Sequence, residues 1–378
     1  MKVLLYLASD SPFYTNLYPS IKRGFEEAGC EVEGGANLLE SKELIKKIED
    51  FKPDFVFEMN RVKSEIKGFQ KGIIHICWLV DFWGRIHEEL NGSDILYVWT
   101  ENWIKDFKKI GINSILHLPP ATDATIYKPL KIKKEYDFIF LGHLYANWGE
   151  NRLNRKIGYY HDNKTLLFKD ILPYIKELAL SKDEQSTFLE LVENRGMILD
   201  KPISKEILND IFSRGYRQIR REYYINLFLK DNYKLAIYGS ENWLLHENYK
   251  KFYKGYIDNF NDINTAISKS NILLHDGNYP HFRTFDAMAT GVVVASAQAP
   301  KSFKNPWEKL GFINQEDYLN INIYNADIDL SICLDKNKLQ SIAQSARKKV
   351  LKNHLWVHRA FQVLNDVSNY KKRIENVK

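Results

Sequence analysis

Residues 271–296 restrict the possible folds of this 378-residue chain more than any other stretch. Two apolar runs flank a segment in which Phe282, Phe285 and Met288 recur every three residues, as on one face of a helix. Gly291 follows at the place of a helix C-terminal cap, and β-branched residues come next. The stretch therefore predicts strand, loop, helix and strand, which places the loop and the helix N-terminus at the carboxyl edge of a parallel sheet.

A cation and a carboxylate share one face of this predicted helix. Arg283 and Asp286 are three residues apart, so their side chains lie close together. A helix N-terminus favours an anion, and the pair would suit a phosphate and a sugar hydroxyl. The alternative interpretation is an ion pair on the protein surface.

The same alternation of strand and helix patterns begins at the N-terminus. An apolar run over residues 2–8 precedes a helical pattern that ends before Gly29, and four further strands follow up to Leu118. Helical patterns between strands at this spacing predict a parallel sheet in an α/β domain. The loop after the first strand lacks GxGxxG, which argues against a dinucleotide site.

Three prolines within residues 118–129 mark the end of this first, Rossmann-like domain, which we predict over residues 1–128. A second strand series begins at Tyr136 and has a glycine loop, Gly142-His143, after its first strand. This pattern predicts a second Rossmann-like domain.

The second domain is predicted over residues 129–345. The long polar stretch at about 149–229 predicts a helical insertion within it. Asp335 is a predicted N-cap of a late helix, and the helices of residues 346–378 are expected to pack back on the first domain.

Asp81 directly follows an apolar strand, at the edge where α/β enzymes place their chemistry. A carboxylate there could act as a general base towards a hydroxyl group. The alternative is that Asp81 caps the turn that follows it.

Two charged motifs elsewhere are interpreted as structural. The insertion carries a basic cluster of Arg214, Arg217, Arg220 and Arg221, for which a solvated helix face is the favoured interpretation. Asp327-Ile328-Asp329 matches the DxD pattern that holds a metal in other enzymes, but it lies outside the predicted cleft, so no metal site is predicted.

The composition is that of a globular protein, with 44% hydrophobic and 27% charged residues. The formal charge of +6 permits an anionic ligand, an anionic membrane surface or nucleic acid without requiring any of them. Cys30, Cys77 and Cys333 lie far apart in apolar surroundings, which indicates reduced thiols in a cytoplasmic protein. No apolar window reaches the length of a membrane span, so membrane contact is expected to be peripheral at most.

Four segments in this order resemble the CgeB-like (spore maturation protein) glycosyltransferases of the GT-B class. They are residues 118–129, 136–142, 237–243 and 280–291. The resemblance implies two Rossmann-like domains facing across a cleft, with acceptor binding in the first and nucleotide-sugar binding in the second.

The resemblance also implies roles for residues of the predicted helix. The acidic residue at the position of Asp286 contacts the ribose in that family, and the basic residue at the position of Arg283 approaches the diphosphate. The family usually has Glu at position 286. Many retaining GT-B enzymes have a second Glu eight residues earlier, where this chain has Asn278, and the difference disfavours a retaining mechanism.

A second resemblance is to the β-glucosyltransferases of T-even phages, which are inverting GT-B enzymes. Leu79-Val80-Asp81 resembles their strand that ends in the catalytic base, and residues 282–286 resemble their donor-binding helix. These enzymes also use arginines after the first strand of the second domain, for which Arg152, or less favourably Arg155, is the candidate here.

The two resemblances imply an inverting, metal-independent glycosyltransferase without a cofactor, in which Asp81 is the base and a UDP-sugar is the favoured donor. Further donor contacts are expected from Gly142, His143, Asn278 and His281. A glycan, a protein or a small glycoside is the expected acceptor. Modified DNA ranks lower, because the first domain has no concentrated basic cluster. A UDP-sugar 2-epimerase and a non-catalytic nucleotide-sugar-binding protein are the remaining alternatives.

Overall fold

The computed structural model describes residues 1–376 except for 83–84, 113, 181–187, 230–232, 299–304 and 325–329. Within these residues the chain forms two α/β domains that each contain a parallel sheet, with a smaller sheet inserted in the second domain. This arrangement agrees with the α/β organisation predicted from the alternating patterns.

The first domain is built on a six-stranded parallel sheet in the order β2-β1-β3-β4-β5-β6. Its strands are β1 (Lys2–Tyr6), β2 (Glu31–Gly35), β3 (Phe55–Met59), β4 (Ile74–Leu79), β5 (Ile95–Val98) and β6 (Ile115–His117). Its helices are α1 (Pro12–Glu27), α2 (Ser41–Phe51) and α3 (Glu101–Lys109). β3, β4 and β5 are buried along their whole length, as the continuous apolar runs of a parallel sheet require.

The second domain has a five-stranded parallel sheet in the order β11-β7-β12-β13-β14. Its strands are β7 (Tyr136–Leu141), β11 (Leu235–Tyr238), β12 (Ser270–His275), β13 (Val293–Ala297) and β14 (Leu319–Ile321). Its helices, apart from those of the insertion, are α9 (Glu247–Lys250), α10 (Phe260–Ser268), α11 (Phe282–Thr290), α12 (Pro306–Lys309) and α13 (Lys336–Asn353).

The predicted strand, helix and strand of residues 271–296 are confirmed as β12, α11 and β13. Gly291 has a φ of 82°, so it closes α11 in the left-handed conformation that glycine adopts most readily. The side chain of Asp335 accepts a hydrogen bond from the Lys338 amide, which confirms it as the N-cap of α13.

The insertion is not purely helical, which corrects the sequence-based prediction. It contains a three-stranded antiparallel sheet, β10-β8-β9, beside its helices. The strands are β8 (Lys156–Tyr160), β9 (Thr165–Leu167) and β10 (Met197–Leu199), and the helices are α4 (Glu150–Leu153), α5 (Phe168–Ala179), α6 (Phe188–Glu193), α7 (Lys205–Leu208) and α8 (Arg217–Asn226). Strands of three to five residues are too short to interrupt the helical periodicity of the surrounding sequence.

The last helix, α14 (Trp356–Glu375), packs on α1 of the first domain. The buried Arg359 guanidinium donates hydrogen bonds to the Pro119 and Pro120 carbonyls of the inter-domain linker, with the shorter contacts at 2.8 and 2.9 Å. The Tyr97 hydroxyl donates to Asp366 at 2.7 Å. The C-terminal helix therefore fastens the linker to the first domain.

No helix in the described ranges is both long and apolar enough to cross a membrane.

Gly239 provides a test of the close approach between the ends of β11 and β7. Its φ is 153°, and a Cβ atom at this position would overlap the Gly142 carbonyl oxygen. We expect Gly239→Ala to lower the free energy of unfolding by about 2–4 kcal/mol, from backbone strain and steric overlap together. The measurement is urea-induced unfolding followed by circular dichroism.

Gly111→Ala is the matched control, because Gly111 also has a positive φ but no atom lies within 4 Å of its added Cβ. It should cost only about 1 kcal/mol. Equal losses in the two variants would contradict the close approach.

Candidate functional site

Three loops meet at the carboxyl edge of the second sheet, after β7, β11 and β12. The Trp243 indole donates a hydrogen bond to the Gly142 carbonyl at 2.9 Å. The Ser240 hydroxyl and the Asn242 amide donate to the Leu144 carbonyl at 2.9 and 2.8 Å. These bonds fix the backbone of the glycine loop, which contains two of the predicted donor contacts.

Helix α8 lies over this edge and carries the basic cluster. Arg221 donates to the Asp276 carboxylate at 2.9 Å and also contacts the His143 carbonyl oxygen. The two side chains of this ion pair are only 7% and 13% exposed. The pair thus joins the insertion to the loops that follow β7 and β12.

The interpretation of the arginine cluster as a solvated face is wrong for three of its four members. Arg214, Arg220 and Arg221 are buried. Arg214 donates to the Ala146 carbonyl and stacks over Trp148, and Arg220 lies beside two tyrosine hydroxyls. Polar and aromatic partners elsewhere in the chain allow these guanidinium groups to be buried.

Arg217, the fourth member, is exposed and lies one helical turn before Arg221. Its guanidinium forms neither a hydrogen bond nor an ion pair with any residue that the structure describes. Its positive charge therefore remains available to a ligand at this edge.

The histidines around Arg217 are held in the neutral form. Burial lowers the pKa of His143, and the Arg221 and Arg217 guanidinium groups lower it further. Burial lowers the pKa of His275 as well. For His281, burial, the His275 ring and the charges of Arg217 and Arg283 bring the pKa to about 3. The imidazoles can therefore take part in hydrogen bonds without competing with Arg217 for an anion.

An aromatic surface lies beside the glycine loop. The His143 ring stacks on Tyr256 with 5.7 Å between the ring centroids, and Tyr256 is 53% exposed. A flat, partly exposed ring next to a neutral imidazole is a suitable contact for a planar base. The sequence analysis identified His143 but not Tyr256.

Arg283 and Asp286 are brought together, but as a buried pair at the domain boundary. The Arg283 guanidinium donates to Asp286 at 3.2 Å and to the Tyr127 hydroxyl at 3.0 Å, and it lies over the rings of Phe13 and Phe260. The pair is therefore not the surface ion pair that was the alternative interpretation.

Asp286 also contacts the inter-domain linker directly. Its carboxylate accepts a hydrogen bond from the Thr122 hydroxyl at 2.7 Å. Burial raises its pKa to about 6, although Arg283 and Thr122 favour the charged form. The described partners of Asp286 thus come from α11 and from the linker.

Asp81 is exposed at the carboxyl end of β4, on the first domain. The Asn60 side-chain oxygen accepts hydrogen bonds from the amides of Val80 and Asp81 at 2.7 and 3.0 Å. Asn60 is buried and has a φ of 63°, an uncommon backbone conformation for a residue other than glycine. The sequence analysis missed Asn60, since nothing in the local pattern distinguishes it.

Asp81 lies close to the boundary with α11. After burial, the charge of Asp81 is the next cause of the raised pKa of Tyr14. Tyr14 packs on Phe13, and Phe13 contacts Phe282 at the start of α11, with 5.5 Å between ring centroids. The Asp81 edge of the first domain therefore faces the N-terminal end of α11.

A pocket lies between the two domains beside His281, and the sequence analysis did not predict it. Trp99 and Asn102 of the first domain and Tyr279 of the second line it, and the Asn102 amide contacts the Tyr279 hydroxyl. Thr100 also lines the pocket and is only 5% exposed, and its hydroxyl has no hydrogen-bond partner in the described part of the chain. The pocket combines aromatic surface with polar groups, and its volume of about 20 Å³ admits about one water-sized group.

The remaining predicted residues lie in several places. Arg152 and Arg155 form ion pairs with Glu206 and Asp210 inside the insertion, and none of their described contacts reaches the loop between β12 and α11. Asn278 is half-buried in that loop, without a side-chain hydrogen bond in the described part of the chain.

The described part of the chain contains no candidate metal site. Among these residues, no three His, Cys, Asp or Glu side chains group closely enough to hold an ion. The DxD-like sequence Asp327-Ile328-Asp329 lies outside the described residues.

Comparison with known proteins relates this geometry to an enzyme class. Residues 216–365 match the family model described as "Glycosyl transferase-like". The match begins at α8 and includes the loop after β12 and all of α11. No curated protein matches the chain in sequence. Residues 216–365, which include most of the second-domain sheet, are therefore similar to a glycosyltransferase domain.

Solved structures share the architecture over the whole chain. Sucrose-phosphate synthase from Thermosynechococcus elongatus covers 100% of both chains at 9% identity, with a TM-score of 0.57. An α-glucosyltransferase in complex with UDP-glucose and DNA containing an abasic site covers 97% of this chain and 98% of its own, at 9% identity and a TM-score of 0.54. AviGT4, a glycosyltransferase involved in avilamycin A biosynthesis, covers 97% of each chain at 11% identity and a TM-score of 0.50.

These structures confirm the GT-B fold, with two Rossmann-like domains, that the sequence predicted. At such low identity the likeness concerns the fold alone. The CgeB-like family and the individual residue roles stay predictions.

The buried Asp286 carboxylate gives a prediction for stability. Its pKa rises from 3.8 to about 6 on folding, so the folded protein holds this proton more tightly than the unfolded chain. The contribution of the residue is fully present below pH 3.8 and is lost as the pH rises through 6. Relative to Asp286→Asn, we expect the wild-type free energy of unfolding to fall by about 2 kcal/mol between pH 4 and pH 7.

Urea-induced unfolding of both proteins across this pH range provides the measurement. The unpaired Arg283 in the variant adds an offset that does not depend on pH, so only the slope is informative. Asp262→Asn, at an exposed position of α10, is the control and should run parallel to the wild type. A difference between wild type and Asp286→Asn that stays constant from pH 4 to pH 7 would falsify the raised pKa.

Proposed function

We propose that the protein transfers a sugar from a nucleoside diphosphate, with UDP as the favoured nucleotide, to an acceptor hydroxyl group. The observation that carries the proposal is the exposed Arg217, which has no hydrogen-bond or ion-pair partner among the described residues, beside three neutral histidines at the carboxyl edge of the second sheet. In open α/β folds, ligands bind at this edge of the sheet. An arginine without a carboxylate partner there is suited to a phosphate group.

The diphosphate would lie between Arg217 and the N-terminus of α11. Negative charge develops on the diphosphate as the sugar leaves, and preorganised donors at that place lower the barrier. Arg217 supplies a full positive charge, and the nine-residue helix α11 adds free backbone amides and its dipole. With these groups we propose that the reaction needs no metal ion, and activity should persist in EDTA.

The stacked pair of His143 and Tyr256 supports contact with the nucleobase. Tyr256 presents an exposed ring next to the glycine loop. A base stacked on Tyr256 would leave its diphosphate directed towards Arg217, because the loop of Tyr256 and the glycine loop lie at the same edge of the sheet.

For Arg283 and Asp286 we propose an indirect role in donor binding: the pair sets the position of α11. The pair holds the first turn of α11 against Tyr127 and Thr122 of the linker. The position of the helix amides relative to a diphosphate then depends on these bonds. The predicted direct contact with ribose stays a prediction.

The pocket between the domains supports a sugar hydroxyl as the acceptor. Trp99 and Tyr279 offer ring faces, and Asn102 and Thr100 offer polar groups in a confined space. The pocket has a volume of only about 20 Å³, room for about one water-sized group, so it could receive a single hydroxyl group and not a sugar ring. A glycan, a protein or a small glycoside stays the proposed acceptor. Binding of duplex DNA with a steep salt dependence would favour the DNA alternative.

Asp81 is the proposed general base of an inverting reaction. Its carboxylate is accessible at the edge that faces α11, and Asn60 holds its backbone amide in place. A base on the opposite domain from the donor suits attack from the face opposite the leaving group.

Replacement of Arg217 tests the donor site. We expect Arg217→Gln to weaken UDP binding by about tenfold to a hundredfold, because a hydrogen bond from a charged donor is lost. Calorimetric titration with UDP gives the dissociation constant, after a thermal-shift comparison of UDP with other nucleoside diphosphates. Arg195→Gln, which removes an arginine paired with Glu177 in the insertion, should leave the affinity within twofold. The absence of stabilisation by any nucleoside diphosphate would contradict the proposal.

Replacement of Asp81 tests the catalytic step. Asp81→Asn keeps the shape of the side chain but cannot accept the proton, so kcat should fall by about 10²–10⁴ while UDP binding stays unchanged. The assay follows UDP release from a UDP-sugar, and NMR of the product should show inversion at the anomeric carbon. Asp10→Asn, at an exposed position of the same domain, is the control.

The product and the variant can each contradict the assignment. A retained anomeric configuration would exclude direct displacement with Asp81 as base. Full turnover by Asp81→Asn would assign the proton transfer to another group.

A further inference from the structure

A groove runs along the amino edge of the second sheet, opposite the candidate donor site. It lies between the linker that precedes β7 and one face of α13, and we name it the linker groove. β12 begins at the groove and ends at the donor site with His275. At about 3.3 Å per residue, the length of this strand separates the two places by roughly 17 Å.

Three cations line the linker groove, and no Asp or Glu is among the described residues that line it. They are Lys134 from the linker and Lys336 and Arg347 from α13. Lys134 donates to the Ser270 carbonyl at 2.6 Å, and Arg347 donates through Nε to the Ala289 carbonyl at 3.1 Å. Backbone carbonyls orient both side chains, while their positive charges have no carboxylate partner among the described residues.

The pKa of Lys134 reflects this environment. Burial alone lowers its pKa, without a nearby carboxylate to oppose the shift. An anion bound in the groove would raise the pKa of Lys134 again, because it would give the ammonium group a partner of opposite charge.

A buried hydroxyl adds an independent observation. Ser268 lines the groove, is only 3% exposed, and its Oγ has no hydrogen-bond partner among the residues that the structure describes. An unsatisfied buried hydroxyl costs free energy unless a ligand or water completes it. Ser268 is therefore a donor or acceptor available to a bound molecule.

The groove also has an apolar side. Leu130 of the linker and Leu339 of α13 line it together with the three cations. A ligand with a charged group and a small apolar body would contact both sides, whereas an inorganic ion would leave the apolar side unused.

We propose that the linker groove binds a small organic phosphate, whose phosphate group is attracted by the three cations that line the groove and whose body lies against the leucines. The site is separate from the proposed donor site, and the proposal stands whether or not the protein transfers sugars. The ligand would contact both the linker and α13. Since these two elements connect the domains, binding there can bias their relative position.

The test uses phenyl phosphate as the probe in calorimetric titrations of the full chain. We expect saturable binding to the wild type, and at least tenfold weaker binding to Lys336→Gln and to Arg347→Gln. Lys348→Gln is the matched control, because Lys348 is exposed on the same helix and does not line the groove. Its affinity should stay within twofold of the wild type. Circular dichroism and melting temperature confirm that each variant is folded.

Two further titrations separate the groove from other sites. In the Arg217→Gln background, which removes the proposed donor-site cation, Lys336→Gln should still weaken phenyl phosphate binding at least tenfold. Loss of all saturable binding in Arg217→Gln alone would place the phosphate at the donor site and overturn the proposal. Phenol should bind at least tenfold more weakly than phenyl phosphate. Equal binding of phenol, equal weakening in Lys348→Gln, or no saturable binding to the wild type would each overturn it too.

Discussion

The Arg221–Asp276 ion pair is the interaction on which the geometry of the candidate site depends. Its two side chains are almost fully buried, and Arg221 also contacts the His143 carbonyl. One guanidinium thus fixes the insertion helix α8, the loop after β7 and the loop after β12 relative to one another. Removal of one partner from such a pair typically costs about 3–5 kcal/mol, because a buried charge is left uncompensated. Arg217 lies one turn earlier on the same helix, so this pair also sets where the exposed charge of the site lies.

The burial of Arg221 leaves Arg217 as the exposed member of the arginine cluster, among neutral rings. His143, His275 and His281 all have lowered pKa values, first through burial and then through neighbouring positive charge. Protonation of any of them would add charge to a cluster that already repels it. The field at the edge therefore changes little over the physiological pH range, and an anionic ligand would meet the exposed Arg217 guanidinium.

Much of the fold was predictable because local rules and tertiary structure agree. Helix spacing, a glycine with positive φ at position 291 and an aspartate cap at 335 define α11 and α13 without reference to the rest of the chain. The site was less predictable, because its partners are distant in sequence. Arg221 and Asp276 are 55 residues apart, and Thr122 and Asp286 are 164 apart. A stripe of arginines on a helix looks the same whether solvent or a buried carboxylate faces it, so only tertiary structure separates Arg221 from Arg217.

The position of α11 is linked to the domain boundary through Thr122. The Thr122 hydroxyl donates to Asp286, and its backbone amide donates to the His354 carbonyl at the C-terminal crossing between the domains. The linker and the C-terminal segment, the two places where the chain passes between the domains, therefore meet at Thr122. Through Asp286, Thr122 also holds α11, the helix whose N-terminus faces the donor site. Rotation of the domains that broke the Thr122 bond would remove one hydrogen bond from Asp286 and change its hydration. Because burial is what raises the pKa of Asp286, hinge movement and ionisation of this carboxylate must be coupled.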